Sequence, residues 1–388
     1  MPQGCDSCEA RAFNRAFRSY VIERVSCMPT PLHNIYNPAC PTRESSGNRE
    51  SFHTTLLSSV KHKSMTATSI SATPSWTTLG TKEYVAHKRK VHSVAWSCGG
   101  QKLASGSVDQ SVRVWSLHET GSATHTELTG HQDSVDQLRW DPLNPEVLGT
   151  ASGDRTVRIW DTRTNKQVHA IETRGENINI RWSPDGQHVA VGDKDDNIAI
   201  IEMRKCKALK NIKFQSEVNE MAWEPTSGGK FFFLTTGSGS VEIFRYADML
   251  AHEQAQPVHS LQAHTANCYC IDFSPKGEYL AVGGADAMVT IWDVQELVCL
   301  RTCTRFEWPV RTLSFSCDSR FLASGSEDLY VDIADVSTGE QVHKLSCSAA
   351  MNSVAWHPSR LLLAYAADDK DRVGRDDGSL RIFGFPSA

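Results

Sequence analysis

The sequence lacks the features of a membrane-spanning or secreted protein. No apolar run approaches the ~20 residues of a membrane-spanning helix, and the first residues lack the apolar core of a secretory signal. No Asn-x-Ser/Thr glycosylation site occurs in the 388 residues. The twelve cysteines follow no disulfide-framework spacing, which favours reduced thiols in the cytosol or nucleus. We therefore expect no membrane contact.

Signatures of catalysis are also missing. The sequence contains no G-x-x-x-x-G-K-[ST] phosphate loop, no G-x-S-x-G elbow and no H-E-x-x-H zinc motif. Cys5-x-x-Cys8 has no second pair at zinc-finger spacing. These absences favour a binding protein over an enzyme, and we expect no catalytic residue, cofactor or metal ion.

The charge is unevenly distributed. Residues 1–75 carry eight basic and five acidic side chains, while the whole chain has a net charge of −5. The remaining residues therefore have a net charge of −8, which gives no general attraction for a phosphate backbone. Any association with RNA is expected to be indirect, although a contact through Lys88, Arg89 and Lys90 stays open.

Residues 1–75 differ in composition from the rest of the chain. From residue 38 onward this segment is rich in Ser, Thr, Pro and basic residues, so it cannot bury enough apolar surface to offset its ordering entropy. Four arginines between residues 11 and 24 interleave with apolar residues, as in a membrane-surface helix, a transit peptide or a partner-binding helix. Incidental spacing in a disordered tail is the favoured interpretation.

A repeat dominates residues 76–388. Seven alternating segments end in an aromatic residue, at spacings of 41 to 50 residues: Trp96, Trp140, Trp182, Trp223, Phe273, Phe315 and Trp356. A turn usually follows, then a strand of small residues, and then a third strand. Repeats of ~40–45 residues with four short strands are typical of propeller blades. The sequence therefore predicts an all-β fold, a seven-bladed β-propeller.

Ring closure can be predicted from the two ends of the repeat. The third strand of the seventh blade ends near Phe383, and the few residues that follow are too short for a turn and a fourth strand. Residues 79–86 have strand character and precede the first blade. We expect this segment to pair with the seventh blade and to close the ring.

The best-formed repeat runs from Gly130-His131 to Trp160-Asp161 and resembles a WD40 repeat. In that family His, Ser or Thr, Asp and Trp form a hydrogen-bonded tetrad. The resemblance implies tetrads in three blades, the last with Val282 at the hydroxyl position: His87, Ser105, Asp109 and Trp115; His131, Thr150, Asp154 and Trp160; and His264, Asp286 and Trp292. Blade six keeps Ser324 and Asp328 but has Phe306 and Ala334. These polar residues are expected to be structural.

Longer stretches resemble the THO complex subunit 3 family, WD40 proteins of the THO/TREX messenger-RNA export complex. GENINIRWSPDG at residues 175–186 and DLYVDIADV at residues 328–336 are the least generic of them. The resemblance covers about residues 85–388. It implies a nuclear, non-enzymatic scaffold that contacts other THO/TREX subunits, associates indirectly with mRNA, and has the export helicase and its adaptor as further candidate partners.

Four residues are candidate partner contacts. Trp308 lies in a loop, where an indole anchors an interface or caps its own blade; Arg89 and Lys90 lie in the turn before the first blade. Arg163, in Trp160-Asp161-Thr162-Arg163, resembles the adaptor-docking motif of cullin-RING ubiquitin ligase receptors. A ligase substrate receptor is therefore the alternative function.

Overall fold

The computed structural model describes residues 75–118, 121–368 and 378–386. Their strands form seven four-stranded antiparallel sheets, which are the blades of a propeller, so the predicted fold class is confirmed. The expected disorder of residues 1–75 and their arginine-rich segment lie outside the described residues, except for Ser75. Within the described ranges, no helix is long and apolar enough to cross a membrane.

Each of the first six blades uses four consecutive strands. Blades one to three contain β2 (Val91–Trp96), β3 (Lys102–Ser107), β4 (Val112–Leu117), β5 (Ala123–Leu128); β6 (Val135–Trp140), β7 (Val147–Ser152), β8 (Thr156–Asp161), β9 (Lys166–Glu172); and β10 (Asn177–Trp182), β11 (His188–Asp193), β12 (Asn197–Glu202), β13 (Lys207–Lys213). Blades four to six contain β14 (Val218–Trp223), β15 (Phe231–Thr236), β16 (Ser240–Arg245), β17 (His259–Gln262); β18 (Cys268–Phe273), β19 (Tyr279–Gly284), β20 (Val289–Asp293), β21 (Val298–Cys303); and β22 (Val310–Phe315), β23 (Phe321–Ser326), β24 (Tyr330–Asp335), β25 (Gln341–Ser346).

Blade seven joins the two ends of the repeat. It contains β26 (Met351–Trp356), β27 (Leu363–Ala367) and β28 (Gly378–Pro386), and its outermost strand is β1 (Leu79–His87), which pairs antiparallel with β28. A 3-10 helix, η1 (Trp76–Thr78), precedes β1. The Trp76 ring stacks on Phe383 at 6.4 Å between ring centroids and meets Phe321 of blade six edge-on at 5.0 Å. The start of the described chain is thus packed into the junction of blades six and seven.

The hydrophobic core lies between neighbouring blades. The seven repeated aromatic residues end the innermost strands, and their side chains pack against the sheet of the preceding blade. Leu138 and Trp140 of β6, for example, form one buried cluster with Val114 and Leu128 of blade one. The Trp140 indole also donates to the Ala95 carbonyl of blade one at 2.9 Å. Each blade therefore buries its faces only against its neighbours, which explains why the ring must close.

Blade four is longer than the others because of an insertion. Between β16 and β17 the chain forms a short helix, α1 (Tyr246–Ala251), and the aromatic spacing that follows is 50 residues instead of 41 to 44. The sequence repeat predicted no helix here. This insertion lies beside the turn that joins the first two strands of the blade.

Candidate interaction surface

The ring has two faces built from different loops. On the upper face, loops connect the outermost strand of one blade to the innermost strand of the next, and turns connect the second and third strands of each blade. On the lower face, turns connect the first strand to the second and the third strand to the fourth. The candidate residues are divided between these two faces.

Blade two contains a complete tetrad below the upper face. His131 donates from Nδ1 to Asp154 Oδ2 at 2.8 Å, and its Nε2 accepts from Thr150 Oγ1 at 2.7 Å. The Trp160 indole donates to the same Thr150 hydroxyl at 3.0 Å. The carboxylate only accepts, the indole only donates, and the imidazole and the hydroxyl do both. The chain of bonds therefore satisfies four buried polar groups across the sheet.

Blade one repeats this arrangement. His87 Nδ1 lies 3.2 Å from Asp109 Oδ2, its Nε2 lies 2.7 Å from Ser105 Oγ, and the Trp115 indole donates to Ser105 at 3.0 Å. The structure therefore brings together the residues that the sequence motif grouped in each of these two blades.

The acidic member of the tetrad is held in its charged form. Burial raises the pKa of Asp154, but hydrogen bonds from Thr156, from the backbone amide of Gln132 and from His131 lower it by more than burial raises it. The resulting pKa is about 2. Burial also lowers the pKa of the His131 imidazole. The neutral imidazole bridges a carboxylate and a hydroxyl and thereby orders the upper loops. The polar atoms of the tetrad are hydrogen-bonded and have a structural role.

Blade five obtains its hydroxyl from a different strand. Val282 occupies the position of Ser105 and Thr150, but Thr290 of β20 places its Oγ1 3.1 Å from His264 Nε2 and accepts from the Trp292 indole at 2.8 Å. His264 Nδ1 donates to Asp286 at 2.9 Å. The tetrad is complete, and the sequence motif missed Thr290. Its only signal was a threonine two residues before the tryptophan.

Blade six replaces the tetrad with other chemistry. Phe306, at the histidine position, stacks on Tyr330 with ring centroids 5.1 Å apart. Arg305 forms an ion pair with Asp332, with Nη2 and Oδ2 2.6 Å apart, and Asp332 is almost completely buried. Arg305 Nη1 donates to the Gly339 carbonyl at 2.8 Å and the Tyr330 hydroxyl donates to the Arg305 carbonyl at 2.7 Å. An ion pair and an aromatic stack thus fix the same loop.

The loop of blade six presents Trp308 to solvent. Asp328 accepts from the backbone amides of Glu307 and Trp308, each at 3.2 Å, so the loop backbone is fixed. The Trp308 side chain is nevertheless 56% exposed, and Leu329, which directly follows Asp328, is 59% exposed. Trp308 therefore does not cap its own blade. A rigidly held loop with two exposed apolar side chains is a surface on which a partner can dock at low entropic cost.

The three candidate cations occupy different environments. Arg89 is exposed on the upper face, and its carbonyl accepts from Ser107. Lys90, also on that face, lies 3.3 Å from Asp368 of blade seven. Arg163 lies on the lower face, where it donates to Asp161 of its own turn at 3.3 Å. The structure therefore separates Arg163 from Trp308, Arg89 and Lys90.

The upper mouth of the central channel is lined by residues that no motif singled out. In each innermost strand the register slips by one residue near its start, a β-bulge. The extra residue turns its side chain into the channel in six blades: His92, Asp136, Asn219, Tyr269, Arg311 and Asn352. Deeper in, Arg181 lies 3.5 Å from Glu220, which also accepts from Gln137 at 2.7 Å. Arg181 and Glu220 thus form an ion pair in the channel. In the same lining, the buried Nε atoms of Arg139 and Arg181 have no hydrogen-bond partner among the described residues.

Seven four-stranded sheets in a closed ring, with histidine-centred tetrads below one face, define a WD40-type β-propeller. The chain belongs to the THO complex subunit 3 family, because a family model described as the THOC3 beta-propeller domain matches residues 87–366.

One relative bears the name of this family, and two others are named as WD repeat proteins. THO complex subunit 3 of Arabidopsis thaliana is 53% identical over 313 residues, which cover 80% of this chain and 97% of that protein. WD repeat-containing protein AAC3 of Dictyostelium discoideum is 32% identical over 327 residues, or 79% of this chain and 67% of the relative. A WD repeat-containing protein 26 homolog of Arabidopsis thaliana is 28% identical over 309 residues, 77% of this chain and 49% of the relative.

Proposed function

We infer that this protein is a non-enzymatic scaffold subunit of the THO/TREX complex. It acts in the nucleus and couples transcription and splicing to messenger-RNA export. The observation that carries this proposal is the 53% identity to a THO complex subunit 3 that is matched over 97% of its length. Because the family model also matches residues 87–366, which is most of the ring, the similarity supports a shared assembly role more strongly than a shared fold would.

Protein partners are the expected ligands of the propeller. The upper loop of blade six, with Trp308 and Leu329 exposed on a fixed backbone, supports an interface with another THO subunit. The export helicase and its adaptor are further candidate partners, and mRNA is associated indirectly. The polar groups of the tetrads bond to one another, which supports a structural rather than a catalytic role for them.

The ubiquitin-ligase alternative is not favoured by family membership. Its motif ends in Arg163, whose amide donates to Asp161 Oδ1 at 2.9 Å, as does the amide of Thr164 at 3.4 Å. Asp161 and Arg163 therefore have a local task in stabilising their turn. The hydrogen bonds of this turn account for the motif among the described residues without a ligase adaptor.

Affinity purification of the tagged full chain from nuclear extract, with mass spectrometry and with or without ribonuclease, tests the proposal. We expect other THO subunits in stoichiometric amounts, and we expect their recovery to resist ribonuclease because the contacts are between proteins. Recovery of a cullin and its adaptor without THO subunits would overturn the scaffold function.

A further inference from the structure

The outermost strand of blade three differs in charge from the outermost strands of the other blades. Strand β13 contains three lysines, Lys207, Lys210 and Lys213, and no carboxylate. The turn that leads into it adds Arg204 and Lys205. Each of the other six outermost strands contains at most one Lys or Arg. The rim of the ring, formed by these outermost strands, is therefore strongly basic at blade three.

Strand β13 also has a free edge. In its sheet it pairs only with β12, so no strand among the described residues lies along its other edge. Such an edge presents N–H and C=O groups that can pair with a strand of another chain, and a lysine there often prevents this pairing. All seven blades have an outermost strand, so edge protection does not explain why β13 alone has three lysines.

A β-bulge brings two of the lysines together. The pairing of β12 with β13 shifts between Ile200 and Ile201, which makes Leu209 an extra residue in β13. Because of this shift, Lys207 and Lys210 lie on the same face of the sheet, although residues three apart in a regular strand lie on opposite faces. The Leu209 side chain is 50% exposed. The strand thus combines two lysines on one face with an exposed apolar side chain.

Two of the five cations are paired with carboxylates. Lys205 lies 2.8 Å from Glu202 in the lower turn, and Lys213 lies 3.9 Å from Asp196 at the upper end of the strand. Both lysines are exposed, so these pairs are weak in water. The positive charge that remains is in the lower half of β13 and in the turn before it.

The other three cations have no carboxylate partner among the described residues. Lys210 donates to two backbone carbonyls of the insertion in blade four, which are neutral acceptors. Arg204 and Lys207 are exposed and form no ion pair with a described residue. The insertion also contains Asp248 and Glu253. Even with both of these counted, the lower half of β13 and its turn have more cations than carboxylates.

An acidic protein segment matches this surface more closely than RNA does. Residues 203–213 include no aromatic side chain on which a base could stack. Leu209 offers a contact for an apolar side chain, and only a polypeptide can extend the hydrogen-bond ladder of a sheet. Residues 1–75 of this chain carry eight basic and five acidic side chains, so their own charge is also positive. The complementary segment must therefore come from another protein.

We propose that the free edge of β13 binds an acidic, extended segment of a partner protein, which adds a fifth strand to blade three. Backbone hydrogen bonds hold the segment, Arg204 and Lys207 select Asp or Glu side chains, and Leu209 contacts an apolar side chain. The surface lies on the rim of the ring, separate from Trp308 on the upper face. It does not rest on the proposed function, because its ligand class follows from the strand itself.

Fluorescence anisotropy with the full chain and synthetic peptides tests the site. The probe is a capped ten-residue peptide in which Glu and Val alternate. One comparison peptide has Lys in place of Glu, and another has Pro in place of a central Val, because Pro cannot donate to a ladder. We expect the probe to bind at least about tenfold more tightly than either. Equal binding by a comparison peptide, no binding at millimolar probe, or displacement by oligouridine would overturn the proposal.

Blade two offers a matched control for each substitution in β13. Lys166 and Lys207 both begin a fourth strand opposite a carboxylate, and Val168 and Leu209 are both the extra residue of a bulge, 53% and 50% exposed. We expect Lys207→Glu to weaken binding of the probe more than about tenfold, and Leu209→Ser to weaken it about fivefold. Lys166→Glu and Val168→Ser should leave the affinity unchanged.

These variants separate the strand from nonspecific attraction to the rim. The four side chains are exposed, so the variants should fold as the parent chain does. If the blade-two variants weaken binding as much as the β13 variants do, the probe follows net charge and the proposal is wrong. Lys207→Arg keeps the charge and should bind the probe like the parent chain. A loss with Lys207→Arg as large as with Lys207→Glu would also contradict the proposal.

Discussion

Blade two and blade six solve the same problem with different chemistry. Both must fix the loop that leads into their innermost strand. Blade two uses the relay from Asp154 through His131 to Thr150 and the Trp160 indole. Blade six uses the Arg305–Asp332 ion pair and the stack of Phe306 on Tyr330. The two blades therefore have the same four-stranded sheet but use different side chains to fix the loop.

The difference has a consequence for the surface. In blade two, the amide of Gln132 donates to Asp154 at 3.0 Å and the loop presents polar side chains. In blade six, Asp328 holds the amide of Trp308, and the loop presents an exposed indole. In blade two the polar network has only a structural role. In blade six a different network fixes the loop, and the loop is also a candidate interface.

The largest stability effect is expected in blade six. Asp332→Ala leaves the Arg305 guanidinium without its carboxylate in a mostly buried site. Removing one partner of a buried ion pair costs about 3–5 kcal/mol; since Arg305 is partly exposed, we expect a value near the lower end. Denaturant unfolding of the full chain measures it.

The double variant Arg305→Met/Asp332→Leu is the control for that experiment. Both charges are then absent, so we expect it to recover most of the lost free energy of unfolding. If the single and double variants are equally destabilised, packing around Asp332, rather than its charge, holds the blade, and the contrast with blade two is weaker than the structure indicates.

Removing the relay hydroxyls should have a smaller effect. Thr150→Val leaves His131 Nε2 and the Trp160 indole without a partner. Thr290→Val leaves the Trp292 indole of blade five without one and removes the hydroxyl from His264 Nε2, which also lies 3.2 Å from the Val282 carbonyl. Each should cost about 1–3 kcal/mol, the cost of unsatisfied buried polar groups. Unfolding midpoints of the two variants measure these values side by side.

Thr302→Val is the matched control for the hydroxyl variants. Thr302 lies directly opposite Thr290 on the neighbouring strand but is exposed. We expect a change within about 0.5 kcal/mol. If Thr290→Val lowers the free energy of unfolding by no more than Thr302→Val does, the Thr290 hydroxyl on the third strand does not replace the second-strand hydroxyl of the other tetrads.

The two kinds of network could be predicted from sequence to different degrees. The ring, the blade boundaries and the tetrads of blades one and two follow from local motifs with regular spacing. Thr290 was missed because its hydroxyl reaches the tetrad from another strand. Arg305 and Asp332 are 27 residues apart and meet only through strand pairing. Helix α1 lies in an insertion to which the repeat assigns no structure.

A pH series should separate the blade-two relay from uncharged contacts. The folded-state pKa of Asp154 is lowered to about 2, against about 3.9 in an unfolded chain. Its contribution to stability is therefore present above about pH 4 and is lost as the pH falls towards 2. Asp154→Asn cannot lose a proton, so its free energy of unfolding should lie below that of the parent chain near neutrality and converge with it in acid.

Denaturant unfolding at several pH values between 6 and 3 measures this convergence. Thr302→Val keeps the carboxylate and serves as the control, so its difference from the parent chain should not change with pH. A gap between Asp154→Asn and the parent chain that stays constant down to pH 3 would mean that Asp154 titrates in the relay as it does in an unfolded chain.

Substitution of Trp308 should have the smallest effect on stability and should act on binding instead. Trp308→Ala removes a mostly exposed side chain, so the free energy of unfolding should change by less than about 0.5 kcal/mol. If the indole anchors a partner, the loss in binding should exceed about 2 kcal/mol, roughly 30-fold. Co-purification of THO subunits from nuclear extract, scored beside Gln132→Ala in the corresponding loop of blade two, measures the difference. Equal recovery by the two variants would assign the interface to another part of the ring. If recovery of THO subunits is lost only with Trp308→Ala, and stability is unchanged, the loop of blade six binds a partner and is well ordered without a tetrad.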